Sequence, residues 1–264
     1  MTIHRSGRAF GCGLLAVLLT LAVRAHAVDG VIEINQARVD KGDISPGDTP
    51  GFPITISADT ASSSPNSFRL TGPLFNSTAE NAIVIISPHV TVDLNGFTVT
   101  CLNPPCAGFG ILSDQANITV MNGTVRGFAD GVNLSGSGAH VENVRALGNA
   151  NAGVHLGSHC IAHNNIASGN GGEGIKVEMA CTVSGNTANS NMTSGICSGQ
   201  GSNVYGNTAS GNKFFGLNLA PTVGYSQNVM FGNNNQNPPP TPNPQVFDGV
   251  SLGLNLCNGN VTCP

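Results

Sequence analysis

The sequence predicts an all-β fold, a single-stranded parallel β-helix (solenoid) of about seven to eight coils with about 21 residues per coil. Three observations predict it. First, residues recur in columns at a step of 21: Ile118, Ala139, Cys160, Cys181, Ser202 and Val223 form one, and Val120, Val141, Ala162, Val183, Val204 and Tyr225 another. Second, small and amide residues keep the same register with an occasional step of 22. These are Gly110, Gly131, Gly153, Gly174, Gly195 and Gly216; then Asn143, Asn165, Asn186, Asn207 and Asn228; then Asn149, Asn170, Asn191, Asn212 and Asn233. Third, each unit holds only short strand-like runs such as Cys181 to Ser184 and Gly195 to Ser198, joined by Asn, Gly and Ser, with no run of helix formers.

Stacking coils at the inter-strand spacing of about 4.8 Å places like residues above like. Val120 to Tyr225 then reads as an inward apolar column. The glycines read as bend positions where a positive φ costs little. The asparagines tolerate a left-handed turn and can bond amide to amide along the stack, which gives a buried side chain its partners. Asn143, Asn165, Asn186, Asn207 and Asn228 are therefore expected to form one structural ladder.

In chain order, residues 1–27 read as a secretory signal. His4, Arg5 and Arg8 precede an apolar run from Ala9 to Val23, and Ala25, His26 and Ala27 form a small-x-small cleavage site. Residues 28–64 read as an N-terminal cap and loop: Val31 to Ile34 alternates as a strand does, and Gly42 to Pro53 is rich in turn formers. A solenoid needs such covers, because open strand edges invite association. Residues 65–236 read as the β-helix. The step from Val90 to Ile118 is 28 instead of 21, so the Cys101 to Cys106 loop, with Pro104 and Pro105, is expected to bulge from its coil. Residues 237–264 read as a proline-rich linker, Asn237 to Pro244, and a tail that folds back over the last coil.

Three segments, Gly153-Val-His-Leu156, Gly174-Ile-Lys-Val177 and the turn Asn186 to Asn191, resemble those of secreted right-handed parallel β-helix repeat proteins, whose fold is shared with pectate lyases and related polysaccharide enzymes. Val28 to Arg38, Ser67 to Gly72 and Val90 to Gly96 look like a bacterial subgroup of that family. The resemblance covers most of the mature chain. It implies the right hand, as does the general hand of parallel crossovers.

Composition narrows the function. Charged residues are 9% of the chain and the formal net charge is −4, without a Lys/Arg run, so nucleic acid is disfavoured as a partner. Export, to the periplasm, cell surface or exterior, favours disulfides. Cys101 with Cys106 and Cys257 with Cys263 are each local and loop-closing. Cys160 and Cys181 lie one coil apart in the inward column and read either as a pair or as two buried thiols, since the coil spacing exceeds the usual Cβ separation of a disulfide. Cys197 is left over. No tight cysteine pair suggests zinc, and the solenoid acids Asp130, Glu142, Glu173 and Glu178 are too scattered to suggest calcium, so no cofactor is expected.

Alternation turns the middle residue of each Gly-aliphatic-x-aliphatic strand toward solvent. The outward column is Asn133, His155, Lys176, Cys197 and Asn218, with Glu178 in the next outward position. His155, Lys176 and Glu178 are the candidate catalytic group, with His155 or Lys176 as a general base. A solenoid must also carry some charges on its surface by necessity, and the paired acids of a glycosidase are missing from the sequence. The expectation is an exported, monomeric protein without a membrane span in the mature chain, binding a polysaccharide, cell-surface glycan or other partner. The alternative is a polysaccharide lyase or related enzyme acting on a uronic-acid polymer.

Overall fold

A computed structural model describes residues 30–57, 66–234, 243–261 and 263. The expected signal at 1–27 and most of the proline-rich run lie outside these residues. The described chain is a parallel β-solenoid, with one short helix at Gln36–Val39. Every strand pairing among the described residues is parallel, apart from a single antiparallel bridge between Cys257 and Asn260. One face is a nine-stranded sheet, so eight turns of chain separate its first strand from its last. The other strands wrap the remaining sides as a 17-stranded array.

Register follows the sequence columns. Val120 pairs with Val141, Val141 with Ala162, Ala162 with Val183, Val183 with Val204, and Val204 with Tyr225. All are buried, and they belong to one apolar cluster that runs the length of the coil. Thr91 pairs with Thr119 across the step of 28, so the loop closed by Cys101 and Cys106 is carried outside the register. Cys257 and Cys263 close a second loop. Cys160 and Cys181 are also bonded, with Cα atoms 4.6 Å apart. That separation falls inside the usual disulfide range, so stacked coils accommodate a bond that the mean strand spacing made look awkward.

The asparagine columns do two separate jobs. Asn165, Asn186, Asn207 and Asn228 form a buried ladder: each Oδ1 accepts from the residue one coil earlier, as when Asn186 Oδ1 accepts from the Asn165 backbone N–H at 2.9 Å and from its Nδ2 at 3.1 Å. The remaining amide hydrogen goes back to a carbonyl, as from Asn186 Nδ2 to Ala162 O at 2.8 Å. Asn149, Asn170, Asn191, Asn212 and Asn233 repeat the scheme on the next side. Residues of the C-terminal segment end both ladders: Asn255 Oδ1 accepts from Asn228, and Gln245 Oε1 from Asn233.

Asn143 stands one residue outside the ladder. Val144 occupies the level before Asn165, giving its N–H to Asn165 Oδ1 at 2.9 Å. Asn143 is exposed, has a φ of 54°, and donates to Asn122 at 3.4 Å. It belongs to a corner column of left-handed residues: Asn122, Asn143, Asn164, Gly185, Gly206 and Gln227. Any residue that tolerates the left-handed region serves there.

The glycine column is corrected too. Gly131, Gly153, Gly174 and Gly195 have no positive φ. Their reason is space. A Cβ on Gly174 would lie 2.6 Å from Asn191 Nδ2 and 2.7 Å from the Gly195 carbonyl, so the glycine makes room for the ladder amide.

Asn186→Ala should cost about 3 kcal/mol or more in denaturant unfolding, since it strips the acceptor from Asn165 and a donor from the Ala162 carbonyl inside the core. Asn143→Gly should move stability by less than about 0.5 kcal/mol, because glycine adopts the same corner conformation without strain.

Candidate functional site

The nine-stranded sheet presents one outward residue per strand. Pairing places Leu112, Asn133, His155, Lys176, Cys197, Asn218 and Phe247 in one line. The flanking aliphatics, such as Val154 and Leu156 or Ile175 and Val177, are buried and anchor each strand to the core. The line is half-buried along its length until Phe247, which is exposed. Its residues cannot turn inward without putting their neighbours in water.

His155 is the best-held member. Its Nδ1 lies 3.4 Å from Asn133 Nδ2 and 3.9 Å from Asp130 Oδ2, and its Nε2 lies 3.7 Å from Glu178 Oε1. A proton on Nδ1 faces Asp130, and one on Nε2 faces Glu178. Asp130 is buried at 5% exposure, and its carboxylate accepts from Asn133 Nδ2 at 2.7 Å and from the Ala152 N–H at 3.0 Å. Burial alone pushes the Asp130 pKa up. The neighbouring His155, the Asn133 amide and the Ala152 N–H outweigh burial, so the carboxyl stays below its ordinary value and ionised.

Lys176 pairs in register with His155 on one side and Cys197 on the other. Burial raises the Cys197 pKa, with the negative charges of Glu173 and Glu178 adding to the rise and Lys176 opposing it. The free thiol therefore stays protonated near neutrality and is a poor nucleophile.

The strand pairing brings the candidate residues His155 and Lys176 together, and Glu178 reaches His155 across one level. Other residues close in sequence go elsewhere. His159 is a left-handed corner residue beside Ser137, and His163 lies on another side of the solenoid, 2.9 Å from Ser184 Oγ. Sequence reasoning missed Asp130 as a member of the group. The signal was present: Asp130 immediately precedes Gly131, the place filled by Ala152, Glu173, Ser194 and Phe215 in later coils. Among the described residues, no three His, Cys, Asp or Glu side chains converge as metal ligands, and no helix is long and apolar enough to cross a membrane.

The arrangement offers amides, an imidazole and an ammonium in a row at strand spacing, with the imidazole between two flanking carboxylates. It can hydrogen-bond an extended chain, and it can hold or move a proton at His155.

The sequence model of the right handed beta helix region matches residues 60–214. No curated protein matches the chain. Among solved structures, the A-module of the mannuronan C-5 epimerase AlgE6 of Azotobacter vinelandii is similar at 16% identity, with a TM-score of 0.45. The alignment takes in 71% of this chain and 61% of that module, so the chain spans about three-fifths of its length.

Asp130→Asn should cost about 1–3 kcal/mol at neutral pH, since an amide there sets a donor against the Asn133 amide or loses the Ala152 bond. A carboxyl with a lowered native pKa stabilises fully above its unfolded-state pKa and loses that contribution as pH falls through the native one. Denaturant midpoints of wild type and variant should therefore converge on acidification.

Proposed function

The chain belongs to the family of proteins with a right-handed β-helix region, and from that premise we propose that it is exported and binds carbohydrate along the outward line of its nine-stranded sheet. The observation that carries the reading is the line itself: Asn133, His155, Lys176 and Asn218 in strict register on a rigid face. Successive groups stand at the strand spacing of about 4.8 Å, comparable with one sugar unit of an extended glycan. Amides and charged tips set on a fixed scaffold are what sugar hydroxyls require. Three disulfides and the signal-like N-terminal sequence support export.

Retention of the purified protein on immobilised polysaccharides tests the proposal. Wild type should be retained on at least one, and joint replacement of Asn133, His155 and Lys176 by Ala should weaken binding by about tenfold or more, the equivalent of about 1.4 kcal/mol. No retention on neutral, acidic or amino polysaccharides would sink it.

The bracing of His155 by Asp130 and Glu178 favours a second reading, a polysaccharide lyase. His155 or Lys176 would take the proton beside the uronate carboxyl. The electron pair would form the new C=C bond and the glycosidic oxygen would leave. Uronic-acid polymers followed for absorbance of the unsaturated product decide it. Turnover that is lost in His155→Ala or Lys176→Ala supports the lyase, and silence across alginate, pectate and glycosaminoglycans removes it.

A further inference from the structure

Two features of the sheet face speak to the chemistry of its ligand, on the carbohydrate-binding reading given above. The first is aromatic. The outward line ends on Phe247, which pairs in register with Asn218 and comes from the C-terminal segment. Its ring packs against Phe215, centroid to centroid at 5.3 Å and tilted by 38°. Phe215 stands in the column of Asp130, Ala152, Glu173 and Ser194, so the two rings close the same face that carries His155 and Lys176. Phe247 is 53% exposed. A half-exposed ring, fixed by a second ring and flanked by an amide, matches a sugar unit, which offers an apolar C–H face and hydroxyls at its edge.

The second feature is charge. Lys176 is the one lysine or arginine in the outward line. Asp130, Glu173 and Glu178 surround the line with three carboxylates, and the field of Glu173 and Glu178 reaches Cys197 beside Lys176. With Asp114 in the column of Glu178, carboxylates outnumber the one ammonium of the line. A polyanion laid along it would meet net repulsion at close range.

We propose that this face binds an uncharged glycan, with one sugar unit stacked on the Phe215–Phe247 pair and the following units hydrogen-bonded along Asn218, Lys176 and His155. The site needs the C-terminal segment to be complete, because Phe247 arrives only after the chain has finished its regular coils.

Calorimetric titration of the mature protein with neutral hexasaccharides (gluco-, manno- and xylo-series), oligouronates and chitosan oligomers of equal length tests it. Wild type should bind a neutral series most tightly. Phe247→Ala should weaken that binding about tenfold or more, and Phe247→Tyr should restore it. Thermal unfolding of each variant separates lost binding from lost folding. Tighter binding to oligouronates or to chitosan oligomers than to any neutral series overturns the inference and leaves the carbohydrate-binding reading standing. So does a Phe247→Ala variant that binds as wild type does. No binding to any of the three classes removes the reading and the inference together.

Discussion

Everything in this molecule depends on how a narrow coil satisfies its buried backbone at the corners. Strand residues give their N–H and C=O groups to the coils before and after. Corner residues turn out of that ladder, and a bent chain leaves donors and acceptors pointing into the core, where each unpaired group costs of order 1–3 kcal/mol. The asparagine ladders close that account. Each internal amide accepts the orphan N–H of the preceding coil, donates to the amide of the next, and returns its second hydrogen to a carbonyl. Every lone pair and proton finds a partner, which is the condition under which a buried polar network rigidifies instead of destabilising.

The ladder then dictates its surroundings. Facing it, a side chain has no room, so the column through Gly174 and Gly195 carries no Cβ. Immediately before it in sequence, the chain must turn sharply, so the preceding residue is left-handed: Asn164 before Asn165, Gly185 before Asn186, Gly206 before Asn207. The stack cannot simply stop, because its last amide would present unpaired N–H groups. Asn255 and Gln245 receive them, and both come from the segment beyond the regular coils.

Periodicity made the fold legible, because a stacked parallel coil transmits its step directly into the sequence. Strand register and the inward column follow from the step of 21 alone. The roles of single residues were harder to read. Glycine looks the same whether it is chosen for its φ or for its missing Cβ, and the column through Gly174 was assigned to the wrong one. Asn143 looks like a ladder residue until Val144 is seen to hold that level, since Asn suits both a left-handed corner and a ladder. The pairing of Cys160 with Cys181 turned on a few tenths of an ångström between coils. Asp130 is hard to read because its column changes residue type at every coil, and its contact with His155 depends on where two side chains meet across a step of 22.

Division of labour between inside and outside explains how such a charge-poor chain can still vary one face from coil to coil. The ladders, the aliphatic columns and the stacked disulfide fix the backbone without using any outward position of the nine-stranded sheet. Those positions are free to vary from coil to coil, and they do: an amide, an imidazole, an ammonium, a thiol, another amide and a phenyl ring occupy successive levels. With only 9% of residues charged, local charge on one face is set by a handful of groups, and three carboxylates around one ammonium suffice to give that face its sign. Fold alone would leave uronates, neutral sugars and proteins equally open as ligands. The sign of the face and the ring at its end are the features on which the proposal of an uncharged glycan rests.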